Sequence, residues 1–169
     1  AVLPNKKIEN KYNNVVDNIY INEIPQREKY FLNLYKKISH NFNKDKLVLE
    51  VGSYYGVFGN IIKPNVKNYS GLELSKHGAD YSKKNYSLEI FNETIEEHSK
   101  KQFKYDIIIM ADVIEHFSNP FKMLETIETI LKPEGLLIFT TYNMDSLYAK
   151  ITGKNYHWIL PMHLFYFSN

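Results

Sequence analysis

The stretch Tyr105 to Ala111, with Ile107-Ile108-Ile109-Met110 apolar at consecutive positions, constrains the fold more than any other feature of the chain. A strand wetted on one face alternates apolar and polar side chains, so an unbroken apolar run marks a strand covered on both faces, as in the centre of a parallel sheet. Leu47-Val48-Leu49-Glu50-Val51 is a second run of this kind. Tyr69 to Leu74, Leu88 to Phe91 and Leu136 to Thr141 read as further strands.

Helical patterns separate these runs. From Gln26 to His40, Phe31, Leu34, Tyr35 and Ile38 fall at i, i+3, i+4 and i+7, the spacing of one buried helical face. A short helix through Ile61 and Ile62 is ended by Pro64, and Ser75 is placed to cap a helix running to about Lys84. Asn119-Pro120 supplies a cap and a first-turn proline to a helix whose Phe121, Leu124, Ile127 and Leu131 are expected to share a face, with Lys132-Pro133-Glu134-Gly135 stopping it. Strands alternating with such crossovers predict an α/β fold, an open, doubly wound, mainly parallel sheet. Residues 1–25 are polar and Asn-rich and read as an arm or lid closed off by Pro25; residues 26–169 form the domain.

The net charge of +2 is too small for an electrostatic nucleic-acid binder, and no run approaches the roughly 18 apolar residues of a membrane span. With no cysteine, the chain has no disulfide, no thiolate nucleophile and no Cys-ligated zinc. No signal pattern opens the sequence, so the cytoplasm is the expected compartment.

Ligands of open parallel sheets bind at the carboxyl ends of the strands, where strand order reverses. Glu50-Val51-Gly52-Ser53-Tyr54-Tyr55-Gly56-Val57-Phe58-Gly59 is a glycine-bearing turn from strand to helix that brings backbone close to a ligand. Glu73 lies about twenty residues beyond Gly52, the spacing at which a carboxylate meets ribose hydroxyls; its bland reading is a solvated strand end. Glu50 would repel a pyrophosphate over the turn, and Gly-x-Gly-x-x-Gly is absent, which argues against a dinucleotide oxidoreductase. S-adenosylmethionine, a sulfonium without phosphate, suits an acidic site.

Together Leu47 to Gly59, Gly71-Leu72-Glu73-Leu74, Tyr105 to Phe117 and Leu131-Lys132-Pro133-Glu134-Gly135-Leu136 resemble the ordered motifs of the Rossmann-like class I S-adenosylmethionine-dependent methyltransferases, and within them the ubiquinone-type and sugar O-methyltransferase branch. The likeness covers about residues 27 to 168. It implies that Glu50, Gly52 and Gly56 form the loop under the methionine tail, with Ser53 and Tyr54 facing the cofactor. It also implies that Glu73 holds the ribose, Leu74 packs on the adenine, Glu93, Thr94 and Ile95 frame the adenine edge, and Ala111 and Asp112 border the methionine part. Tyr54 stands where the family commonly has glycine, so its side chain must turn away from the cofactor or cover it. The family also continues into a helix and a final antiparallel hairpin beyond the position of Asn169; without them strand five would be an exposed edge.

Methyl transfer is an in-line displacement that needs positioning first and a base second. The implied acceptor is a hydroxyl of a small molecule, sugar or quinone-like, and His116 and His163 are the candidates to take its proton. Each has an alternative reading, as a helix cap or as a ring packed among aromatics. Asp112, Glu115, His116 and His163 also resemble the magnesium site of small-RNA 2′-O-methyltransferases. The substrate-side role of His163 is preferred, because Trp158, Phe165 and Tyr166 beside it could wall an acceptor pocket, and no metal is assigned. A non-catalytic module that binds the cofactor without turnover is the remaining alternative.

Overall fold

Consecutive residues of the two apolar strands go to opposite layers, which is why neither strand alternates. The computed structural model describes residues 16–168. The first part of the expected arm, residues 1–15, lies outside the described residues. Five parallel strands, β1 (Leu47–Val51), β2 (Asn68–Leu72), β3 (Glu89–Phe91), β4 (Tyr105–Ala111) and β5 (Leu131–Thr140), form a sheet of order β3-β2-β1-β4-β5. Val48, Ile107 and Ile109 pack on one face with Phe58 and Ile62. Leu49, Ile108 and Met110 pack on the other with Met123, Ile127 and Ile130. The doubly wound reading holds.

The helices are α1 (Asn18–Asn22), α2 (Ile24–Ile38), α3 (Val57–Ile62), α4 (Lys76–Tyr86), α5 (Ile95–Ser99), α6 (Pro120–Ile130) and α7 (Leu147–Thr152). Ser75 caps α4 by accepting from the Gly78 N–H, and Asn119 caps α6 by accepting from the Lys122 N–H. Pro25 sits in the first turn of α2, where a missing N–H costs nothing, and the end of the expected arm is the helix α1. Among the described residues, no helix is long and apolar enough to cross a membrane.

Three details differ from the sequence reading. Phe121 is 76% exposed, while Met123, Ile127 and Ile130 carry the buried face of α6. Steps of three residues drift about 60° each around a helix, so Phe121 to Leu124 to Ile127 rotates off the core. Strand β2 ends at Leu72, freeing Glu73 and Leu74 for the loop. The helix gives way to β5 at Leu131, with the break in pairing between Tyr105 and Ile107 absorbing Lys132 to Gly135.

Candidate functional site

Strand order runs outward from β1 to β2 and β3 on one side and through β4 to β5 on the other. The reversal therefore lies between β1 and β4, and a ligand crevice belongs outside their carboxyl ends. The loops after these strands touch: a Cβ on Gly52 would lie 2.6 Å from Val113 Cγ2, and Gly52 has φ +74°. Gly56, also left-handed, caps α3 against Ser82.

On the β1–β2 side the acidic groups are closely held. Glu73 is 7% exposed and accepts the Tyr54 N–H at 2.7 Å and the Ser75 N–H at 2.6 Å. Burial pushes its pKa up to about 7, against the pull of those N–H groups. Glu50 accepts from the Tyr69 hydroxyl at 2.5 Å; burial, with neighbouring Glu73, pushes it up to about 8. Each carboxylate oxygen retains a second lone pair, so Glu73 can still receive ribose hydroxyls.

Tyr54 packs its ring against the neighbouring Tyr55 and against α1. It adopts φ +46°, its hydroxyl donates to Asp17 Oδ2 at 2.9 Å, and its ring packs edge-on against Tyr20 with centroids 4.6 Å apart. The Tyr55 hydroxyl accepts the Asp17 N–H at 2.9 Å, so both tyrosines fasten α1 over the turn. Arg27 of α2 lies 4.0 Å from the Tyr20 ring centre, and its Nε is buried without a hydrogen-bond partner among the described residues. Sequence reasoning missed Asp17 and Tyr20, which lie in the expected arm, and Arg27, just inside the expected domain.

Four implied cofactor residues are engaged otherwise. Ser53 is buried with its hydroxyl against Gly71 and without a hydrogen-bond partner among the described residues, and its N–H donates to the Leu72 carbonyl. Glu93 binds His98 Nδ1 at 2.6 Å and Lys101 Nζ at 2.7 Å. Thr94 and Glu97 form a capping box on α5, and Ile95 is core. The Thr94-x-x-Glu97 spacing carried that signal. Leu74 remains half-buried in the loop after β2.

The β4–β5 side is arranged differently. Asp112, at φ +56°, accepts Thr140 Oγ1 at 2.8 Å and the Tyr30 hydroxyl at 3.3 Å, and Ala111 beside it is half-buried. Glu115 is 1% exposed: Oε2 accepts Thr141 Oγ1 at 3.2 Å, while Oε1 is buried without a hydrogen-bond partner among the described residues. The Glu115 carbonyl accepts the Leu164 N–H at 2.8 Å and the Phe165 N–H at 3.3 Å, which carries His163 to the β4 loop. His116 and His163 meet with ring centroids 4.9 Å apart. Each donates from Nδ1 to a backbone carbonyl, His116 to Met162 at 3.1 Å and His163 to Trp158 at 2.8 Å. Burial, with neighbouring His163, pulls the His116 pKa down to about 4.

Glu115, His116 and His163 each place one ligand atom within 4.8 Å of the others. The resemblance to a magnesium site named Asp112, Glu115, His116 and His163; among the described residues Asp112 is not part of the cluster. A cleft of about 490 Å³ runs beside β5 along Phe139 to Asn143, but it touches neither Gly52 nor Glu73, so it is not the crevice of the topological switch.

A family model for a methyltransferase domain matches residues 24–169. A ubiquinone biosynthesis O-methyltransferase of Actinobacillus pleuropneumoniae is 26% identical over 123 residues, covering 66% of this chain and 53% of the relative. The chain thus spans about half the length of the curated relatives it matches. A methyltransferase structure from Archaeoglobus fulgidus aligns with TM-score 0.72 at 18% identity, covering 90% of this chain and 69% of the other. One from Thermotoga maritima aligns with TM-score 0.69 at 20% identity, covering 90% and 70%. At these identities the two structures speak for the fold.

Proposed function

Because the chain belongs to the methyltransferase-domain family, we propose that it transfers the methyl group of S-adenosylmethionine to a hydroxyl oxygen of a small acceptor. The observation that carries the acceptor side is the convergence of Glu115, His116 and His163 beside Asp112, at the carboxyl end of β4. In the reaction, a lone pair of the acceptor oxygen forms the new bond to the methyl carbon. The carbon–sulfur bond breaks with its electrons going to sulfur, and S-adenosylhomocysteine leaves. The hydroxyl proton passes to an imidazole.

Gly52 and Gly56 let backbone approach the methionine tail, Glu73 supplies ribose acceptors, Glu50 supplies negative charge under the tail once ionised, and Ala111 and Asp112 border the reacting end. Burial keeps His116 neutral near pH 7, so it can accept a proton, and its pKa of about 4 makes it a weaker base than an ordinary imidazole. With Nδ1 committed to Met162, its Nε2 is the nitrogen that can accept. The acceptor proposed is a quinone-like or sugar hydroxyl, the first supported by the name of the Actinobacillus relative.

A second reading is favoured by the same cluster. Convergent carboxylate and imidazole donors, an unpartnered Glu115 Oε1, and two histidines whose Nδ1–H groups are held by backbone carbonyls fit a divalent cation. Glu115, His116 and His163 would hold it, and when bound it would lower the pKa of an acceptor hydroxyl. Methyl transfer from labelled S-adenosylmethionine to catechol, with and without chelator, separates the two. Unchanged turnover supports the histidine base; loss restored by magnesium or manganese supports the cation. Absence of transfer to any hydroxylated probe would overturn the proposed activity.

A further inference from the structure

Gly52 and Gly56 are left-handed, but Gly59, the third glycine of the turn, lies inside α3 with a backbone that any residue adopts. A glycine within a helix weakens it relative to alanine, so the reason for this one is space. A Cβ at Gly59 would overlap Cζ and Oη of Tyr69. The gap admits the end of a phenol ring, and that end delivers its hydroxyl to Glu50 Oε2 at 2.5 Å.

Strand register brings the ring to the carboxylate. Tyr69 of β2 pairs with Val48, and Val48 and Glu50 share one face of β1. Tyr69 and Glu50 are each 3% exposed, so the bond forms away from water. Burial, then the charge of Glu50, raises the Tyr69 pKa well above its ordinary value, which keeps the proton on the phenol and makes it the donor. The groups facing Glu50 are this hydroxyl, Glu73 from the loop after β2 and Tyr20 from α1, while β4 sets apolar Ile109 beside it and α3 brings Phe58 and Ile62 to that face. Burial pushes the Glu50 carboxyl up, the Tyr69 hydroxyl pulls it down, and Glu73 adds to the push. A donor to a buried carboxylate both favours the ion and fixes its direction.

We propose that Tyr69 is a positioning residue for cofactor binding: reaching through the space left by Gly59, its hydroxyl holds the Glu50 carboxylate under the methionine tail to meet the ammonium group of that tail. Tyr69 acts through Glu50 and not on the cofactor. This deepens the methyltransferase reading and rests on the place which that reading gives Glu50.

S-adenosylhomocysteine and methylthioadenosine, which has the same adenine and ribose but no amino-acid tail, are titrated calorimetrically into wild type and Tyr69→Phe, which keeps the ring and removes the donor. At pH 7, Tyr69→Phe should bind S-adenosylhomocysteine about tenfold more weakly, the effect of one charge-assisted hydrogen bond, and methylthioadenosine as wild type does. The loss should shrink by pH 9, because a carboxyl without its donor ionises at higher pH. On a Glu50→Gln background, Tyr69→Phe should cost no further affinity. Gly59→Ala, which pushes the phenol off Glu50, should show the same loss confined to S-adenosylhomocysteine. Equal weakening of both ligands, unchanged S-adenosylhomocysteine affinity in Tyr69→Phe, or a loss that persists on the Glu50→Gln background overturns the assignment. Binding of S-adenosylhomocysteine by Glu50→Gln as tight as by wild type overturns the place given to Glu50, and failure of wild type to bind either ligand overturns the methyltransferase reading; this assignment falls with each.

Discussion

The two halves of the crevice are finished to different degrees by the chain itself. On the β1–β2 side, Glu73 is satisfied by two backbone N–H groups, Glu50 by Tyr69, and Tyr54 and Tyr55 fasten α1 over the glycine turn. On the β4–β5 side, Glu115 Oε1 has no hydrogen-bond partner among the described residues, and Phe165 and Tyr166 are 37% and 40% exposed. A cofactor that is always the same molecule can be met by backbone and a closed polar network, whereas an acceptor must be met by side chains whose bonds remain to be made. The comparison predicts that substitutions on the first side change cofactor affinity and stability, and those on the second change turnover.

The strongest way to break it is Gly52→Val. The left-handed backbone and the 2.6 Å approach to Val113 would both be violated, so a loss of about 3 kcal/mol of stability is expected. Calorimetry should show a melting temperature lowered by roughly 10 °C. Retained stability would show that the loops after β1 and β4 can separate.

His163→Ala should leave S-adenosylhomocysteine affinity unchanged and lower turnover by about a hundredfold, measured by single-turnover methyl transfer. A weakened cofactor with normal turnover would erase the division between the halves. Glu73→Ala acts in the opposite sense: cofactor affinity should fall about thirtyfold by calorimetric titration, the effect of losing charge-assisted ribose bonds.

A smaller effect sharpens the first half through pH. The Glu73 pKa, about 7, is raised above its unfolded value, so the group's full contribution to stability is present below the unfolded pKa. That contribution is lost as pH rises through about 7, and Glu50 extends the loss through about 8. The melting temperature of the cofactor-free chain should therefore fall between pH 5 and pH 8, relative to a Glu73→Gln variant. Cofactor binding needs the ionised carboxylate and should strengthen about tenfold from pH 6 to pH 8. The smallest effect is at Tyr54→Phe, where loss of the hydroxyl bond to Asp17 should cost about 1 kcal/mol of stability with the fold intact.

The same division marks what was legible in the sequence. The sheet could be read because Ile107 to Met110 and Leu47 to Leu49 are apolar on both faces, a local property of each strand. Gly52 and Glu73 were legible because turn and strand end are related by one βαβ spacing. The direction of Tyr54 was not, because it depends on Asp17 and Tyr20 in a helix read as arm. The meeting of His163 with His116 came only through the resemblance, because it is made by the Glu115 carbonyl accepting from Leu164 and Phe165, far along the chain. Thr94 was legible as a cap and was assigned to the cofactor only through the resemblance.

The most direct test of the central claim is a calorimetric titration of the chain with S-adenosylhomocysteine at pH 8, repeated with a nicotinamide dinucleotide. One saturable site for S-adenosylhomocysteine, lost for the dinucleotide and weakened in Glu73→Ala, is the predicted result. No saturable heat with S-adenosylhomocysteine, or equal binding of the dinucleotide, would contradict it.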